Sequence, residues 1–175
     1  VYYALNEYFL FGMFYGMILI ISVYNLLVYL AIREIKNILY MLYILSVAAY
    51  AMSYDGIGFQ YLWQNHPEWN DYAVGVTLYL VIVTGLIFTR RFLNTRANSP
   101  RYDRALKWMI VARSLFFLVE LLLYPELLTF RNIEIIPLSL IFYVSVQVWR
   151  RGYRPARFFV IAYGVLFFGF FVRAM

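Results

Sequence analysis

Long apolar stretches alternate with short polar links along the whole chain. Six such stretches cover residues 8–32, 38–54, 72–89, 106–124, 133–149 and 158–172. Each is roughly 15–25 residues long, and about 20 are needed for a helix to cross the hydrocarbon of a bilayer. The run from Phe14 to Leu30 is apolar on every face. Outer-membrane barrel strands instead alternate over about ten residues, so strands are not expected. Nor does the first stretch read as a signal peptide: no basic segment precedes it, it is too long, and no small-residue cleavage site follows. The pattern predicts an all-α fold, a polytopic membrane helix bundle with six transmembrane helices in a single domain over residues 1–175.

Helix punctuation fits this division. The side-chain oxygen of Asn37 is placed to cap the second helix. Asn98-Ser99-Pro100 is a breaker between the third and fourth. Pro137 falls near the start of the fifth helix, where a missing N–H costs little. Pro155 is expected in the first turn of the sixth, after an Arg154 barred from the helical region.

The links carry the charge unevenly. Links 33–37, 90–107 and 150–157 hold 12 of the 15 basic residues, whereas links 55–71 and 125–134 hold only Arg131. Link 55–71 carries Asp55, Glu68 and Asp71 without Lys or Arg. Basic residues concentrate in cytoplasmic loops, so the pattern puts the odd-numbered links inside and the N-terminus outside. The formal charge of +6 is then accounted for by topology and anionic headgroups, and nucleic acid is not an expected partner. Six spans with this orientation leave Met175 outside, so a receptor reporting to the cytoplasm would need a seventh helix. A first residue of Val1 rather than Met reads as a piece of a longer chain.

Composition narrows the chemistry. Hydrophobic residues make up 65% of the chain, charged residues 14%, and the mean hydropathy is +0.71. Soluble domains run near 45–50% apolar and about 25% charged, which excludes an ordinary soluble domain. With no cysteine and one histidine, thiolate chemistry is ruled out and no protein-built metal site is expected. No HExxH, GxSxG, P-loop or CxxC motif is present, so the chain is not expected to be an enzyme or to hold a cofactor.

Two groups of residues remain as candidates. Within the spans, Arg113 and Glu120 are charged, and Asn25 and Gln147 are polar. A charge in hydrocarbon is costly, so Arg113 and Glu120 should face other helices, with Asn25, Gln147, a backbone carbonyl or water as partner. They share one helical face, but an axial separation of about 10 Å reads as too long for a direct bond. Asn25 and Gln147 are expected to make interhelical hydrogen bonds. In link 55–71, Asp55, Tyr61, Trp63, His66 and Trp69 are ligand or signal-sensing candidates. Its aromatic residues could stack on a sugar or another ligand, dock a periplasmic domain, or form an interfacial belt. Gly12 and Gly16 have the small-xxx-small spacing of close helix packing.

Several segments in order carry a resemblance. They are Phe14-Tyr15-Gly16-Met17 through Tyr24-Asn25-Leu26 to Ile32-Arg33-Glu34, and Leu39-Tyr40 to Tyr43-Ile44-Leu45-Ser46. Gly56-Ile57-Gly58-Phe59-Gln60-Tyr61-Leu62-Trp63 follows, then Thr89-Arg90-Arg91-Phe92-Leu93 with Ser99-Pro100-Arg101-Tyr102-Asp103. The last is Arg151-Gly152-Tyr153-Arg154-Pro155-Ala156-Arg157-Phe158. Together they resemble the membrane core of the bacterial seven-transmembrane receptors with diverse intracellular signalling modules, truncated before the seventh helix. The resemblance implies a signal-receptor core in the bacterial inner membrane. It implies two partners within the full-length protein: a periplasmic sensory domain and a cytoplasmic output domain such as a kinase, cyclase or phosphatase. The lipid bilayer is the third partner, and a second copy of the chain is a candidate fourth. The charged stretch from Arg113 to Glu120 departs from the apolar fourth helix of that family, so no family role carries over to those two residues. A small multispan transporter or channel component is the alternative function. Broken helices with polar groups at the midplane would mark it, and the chain has few.

Overall fold

The computed structural model describes residues 2–123, 128 and 134–174, with the side chains of 2–7, 67, 71 and 166–174 left aside. Among the described residues there are eight α-helices and no strand. They are α1 (Tyr2–Ile32), α2 (Ile35–Tyr54), α3 (Ile57–Tyr61), α4 (Pro67–Phe92), α5 (Thr95–Asn98), α6 (Pro100–Leu123), α7 (Ile135–Arg150) and α8 (Ala156–Ala174). The all-α expectation holds. Tyr8–Ile32, Ile35–Tyr54 and Glu68–Phe92 are long and apolar enough to cross a membrane. Ile135–Arg150 and Ala156–Val165 are shorter apolar helices. α6 has the length, at 24 residues, but Lys107, Arg113 and Glu120 interrupt its apolar run.

The chain divides into two packing units, Val1–Thr84 and Gly85–Met175. In the first, α1 packs on α2, and α2 on α3. Arg33 ends α1 with a left-handed φ of 57°, and its N–H donates to the Tyr29 carbonyl at 2.7 Å. The connection is therefore only Arg33 and Glu34. α2 starts at Ile35 with Glu34 at its N-cap and no side-chain cap bond. Asn37 already lies inside the first turn and caps nothing, because the left-handed Arg33 turns the chain earlier than a cap at Asn37 requires.

Burial in this unit is inverted relative to a soluble protein. Among the described side chains of α1, only Ser22 and Asn25 are buried, while Phe9, Leu19, Ile20, Tyr24, Leu27 and Leu30 are exposed. The buried residues of α2 are Ser46, Ala48 and Ser53. Each of the three serines returns its hydroxyl to the carbonyl four residues back, Ile18, Leu42 and Ala49 respectively, at 2.7–2.8 Å. Such a surface in water would expose an apolar patch far larger than monomers tolerate. In lipid it is the expected arrangement, since polar groups turn inward and small residues allow close approach. Thr84 Oγ1 donates to Ser46 Oγ at 3.3 Å and ties α4 to α2.

The second unit has a denser core. Leu86, Leu93, Leu106, Ile141, Val144 and Val148 are fully buried. α7 packs on α8, and α6 on α5 and α7. Phe88, Phe92 and Phe159 form a ring cluster with centroids 5.0–5.5 Å apart, and Tyr163 stacks on Phe159 at 6.0 Å. The Asn98-Ser99-Pro100 breaker acts as expected: α5 ends at Asn98 and Pro100 opens α6. Pro137 lies in the first turn of α7, whereas Pro155 stands one residue before α8.

Candidate functional site

The first unit holds an open surface depression, a cavity of about 420 Å³ that faces outward, lined by Trp63, His66, Glu68, Trp69 and Tyr72. Trp63, His66 and Trp69 thus come together from the sequence candidates, and Glu68 and Tyr72 join them from the first turns of α4. Asp55 and Tyr61 do not line it. Both are exposed, Asp55 as the C-cap of α2 and Tyr61 as the last residue of α3. Glycines set the wall. Gly56 takes φ 75° at the N-cap of α3, the left-handed region that glycine enters without strain. The indole of Trp63 lies against Gly58, where an added Cβ would come within 2.2 Å of the ring. The peptide N–H of Trp63 donates to the Gly58 carbonyl at 3.2 Å.

The second unit holds a buried ionic triad. Arg113, Glu120 and Glu134 are 7%, 2% and 6% exposed. Arg113 Nη1 donates to Glu120 Oε2 at 2.8 Å. Nη2 and Nε both donate to Glu134 Oε1, at 2.7 and 3.2 Å. The Arg113 guanidinium carbon also lies 5.6 Å from the centre of the Phe116 ring. The expectation that this pair turns inward is met. The expected length limit is not: Arg113 and Glu120 bond directly. Cα–Cβ bonds in a helix tilt towards its N-terminus, so Glu120 leans back towards Arg113, and the long arginine side chain covers the remaining rise.

Among the described residues, the further carboxylate partner of Arg113 lies outside the expected set of Asn25 and Gln147. It is Glu134, the N-cap residue of α7, which joins the middle of α6 to the beginning of α7. Asn25 is buried, but its Nδ2 donates to Ile21 of its own helix at 2.8 Å, so its bond is not interhelical. Gln147 is half-buried and uses its backbone carbonyl to accept from the Arg151 N–H at 3.2 Å. Glu134 was missed because, 21 residues from Arg113, it counts as a loop charge in a linear reading. The available signal was an acid directly before an apolar run whose neighbouring span carries an unmatched arginine.

A second carboxylate site sits at the start of α6. Asp103 receives Arg90 Nε at 3.0 Å and Nη2 at 3.2 Å, Thr95 Oγ1 at 2.9 Å and Lys107 Nζ at 3.3 Å. Burial pushes the Asp103 carboxyl up, but hydrogen bonds from Arg90, Thr95 and Lys107 together with the charge of Arg90 outweigh it. The group is held below the usual carboxylate range. Nearby, Arg151 Nη1 donates to Ser99 Oγ at 2.8 Å and its guanidinium lies 5.3 Å from the Tyr102 ring centre. Tyr153 OH donates to the Phe92 carbonyl at 3.2 Å. These bonds fix the end of α4, the start of α6 and the α7–α8 turn to one another.

A profile of the 7TM diverse intracellular signalling family matches residues 7–175. The chain belongs to this family. The resemblance seen in the sequence segments is thereby established over nearly the whole chain. Membership makes the chain a membrane signalling-receptor domain, a class that is not itself catalytic. No curated protein and no solved structure matches the chain. Within the chain, the Arg113 triad is a buried ionic site, and the open depression is lined by aromatic residues, His66 and Glu68.

Proposed function

We propose that the chain is the core of a receptor in the bacterial inner membrane that passes a signal from outside to a cytoplasmic output domain of the same protein. The observation that carries this reading is the family match along residues 7–175. In this reading six spans cross the bilayer, the N-terminus is outside, and links 33–37, 90–107 and 150–157 are cytoplasmic. The concentration of 12 of the 15 basic residues in those links supports the orientation. Link 55–71 with its cavity is the input side. A relay needs two arrangements close in energy and a signal that favours one of them. The triad supplies such an element, because one guanidinium is divided between two carboxylates on α6 and α7. Shifting that division moves the two helices relative to each other by the 1–2 Å or so typical of such switches.

Topology is tested by cysteine labelling, for which this cysteine-free chain is already a clean background. Asn98→Cys is expected to resist a membrane-impermeant reagent in intact cells and to react after permeabilisation. Labelling from outside overturns the orientation. The relay is tested with the full-length receptor: Trp63→Ala is expected to change output activity at unchanged insertion, and an unchanged output removes link 55–71 from the mechanism. Solute movement across liposomes by the purified chain would replace the receptor reading with a transporter.

A further inference from the structure

We infer that the cavity formed by Trp63, His66, Glu68, Trp69 and Tyr72 binds an organic ammonium cation. This inference rests on the reading of link 55–71 as the input side and names the chemistry of its ligand. Three aromatic rings line an open depression of about 420 Å³, so a ligand there meets the rings on one side and solvent on the other. Ring faces carry negative potential and attract a cation within about 6 Å of the centroid. Glu68 adds a formal negative charge to the same wall. Link 55–71 holds no Lys or Arg, so no basic side chain of the link opposes the Glu68 charge.

Other ligand classes fit less well. An anion meets a carboxylate and no basic side chain. A sugar uses aromatic faces too and would find polar partners in the Trp63 and Trp69 indole N–H groups, the Tyr72 hydroxyl, His66 and Glu68, but only an ammonium group pairs the Glu68 charge. Trp69 is 45% exposed, a large aromatic surface left uncovered at the mouth. Gly58 holds the Trp63 ring in place from behind, since any side chain there would displace it. The ammonium group has two sources with the same chemistry: a soluble amine or quaternary ammonium compound, or the headgroup of an amine-bearing phospholipid at the membrane surface.

The test uses the chain in nanodiscs of phosphatidylglycerol, which has no amine, with Trp108→Phe and Trp149→Phe so that fluorescence reports on Trp63 and Trp69 alone. Choline is titrated against its neutral carbon isostere and against potassium at equal ionic strength. The expected result is a saturable change with choline only. Trp69→Ala should weaken it about tenfold, and Glu68→Gln by a smaller factor with helicity unchanged. Equal response to the neutral isostere, or choline binding that survives both substitutions, overturns the proposal. Repeating the titration in phosphatidylethanolamine separates the sources: a weaker apparent choline affinity assigns the site to the lipid headgroup, and an unchanged one to a soluble cation. The receptor reading is judged separately on the full-length protein. If choline binds while output ignores it, the cation site stands and the relay falls. If choline fails to bind while Trp69→Ala still alters output, the relay stands and the ammonium assignment falls.

Discussion

α6 carries two buried carboxylate sites built on opposite charge balances. Near its start, Asp103 faces Arg90 and Lys107 with Thr95 as a further donor. There are more donors than one carboxylate needs, and the local formal charge is positive. About three to five turns further on, Arg113 faces Glu120 and Glu134. Among the described residues that group has two carboxylates to one cation, and Glu134 Oε2 is buried without a hydrogen-bond partner. A saturated carboxylate has one best arrangement. The first site clamps a turn, whereas the second divides one guanidinium between α6 and the start of α7, the property on which the proposed relay draws.

The largest effect that separates the sites is expected from Arg113→Met. Removing the cation that both carboxylates share leaves buried charge uncompensated, which costs about 3–5 kcal/mol. Thermal unfolding in nanodiscs should fall steeply; a loss as small as that of a surface ion pair would mean the triad is not buried in the bilayer-embedded protein.

Asp103→Asn comes next. It keeps the shape but weakens charge-assisted bonds of the kind worth about 1.5–3 kcal/mol. The same site sets a pH dependence. Asp103 is held below its unfolded value, so its stabilisation is present above the ordinary carboxylate pKa and is lost as the pH falls through the lowered one. An acid unfolding profile should therefore flatten at its low end in the asparagine variant. An unaltered profile would show that Asp103 is not ionised against Arg90.

Glu134→Gln should have the smallest effect, within about 1 kcal/mol of the parent in either direction. It removes the excess negative charge while leaving an acceptor for Arg113, and a neutral replacement near a buried pair is often tolerated. A cost equal to that of Arg113→Met would reverse the charge accounting of the triad.

Much of this was legible in the chain, and the rest fails for identifiable reasons. Helical class follows from apolar runs with no alternating period, and the inward turn of Arg113 and Glu120 follows from the cost of charge in lipid. Both are local properties. The Arg113–Glu134 bond is not, because it depends on how α7 returns to α6. The direct Arg113–Glu120 bond was legible in principle, but counting axial rise alone ignores side-chain tilt and length. The aromatic residues of link 55–71 were visible as a class. What could not be read was which of them converge: Tyr61 is exposed at the end of α3, while the ring of Trp63 lies against Gly58. Asn37 failed as a cap because the left-handed Arg33 gives no signature in composition.

The two-residue hinge at Arg33 and Glu34 has a mechanical consequence. It joins apolar helical runs of 25 and 20 residues, Tyr8–Ile32 and Ile35–Tyr54. At a rise of 1.5 Å per residue these measure about 37 and about 30 Å. A hydrocarbon layer roughly 30 Å thick matches the second and falls short of the first. In the proposed topology, with only two residues between them, α1 has to be accommodated by leaning or by a thicker layer around it, which α2 does not need. The two arms of the hairpin are therefore unequally matched to one layer, and longer acyl chains improve the fit of the first arm while worsening that of the second.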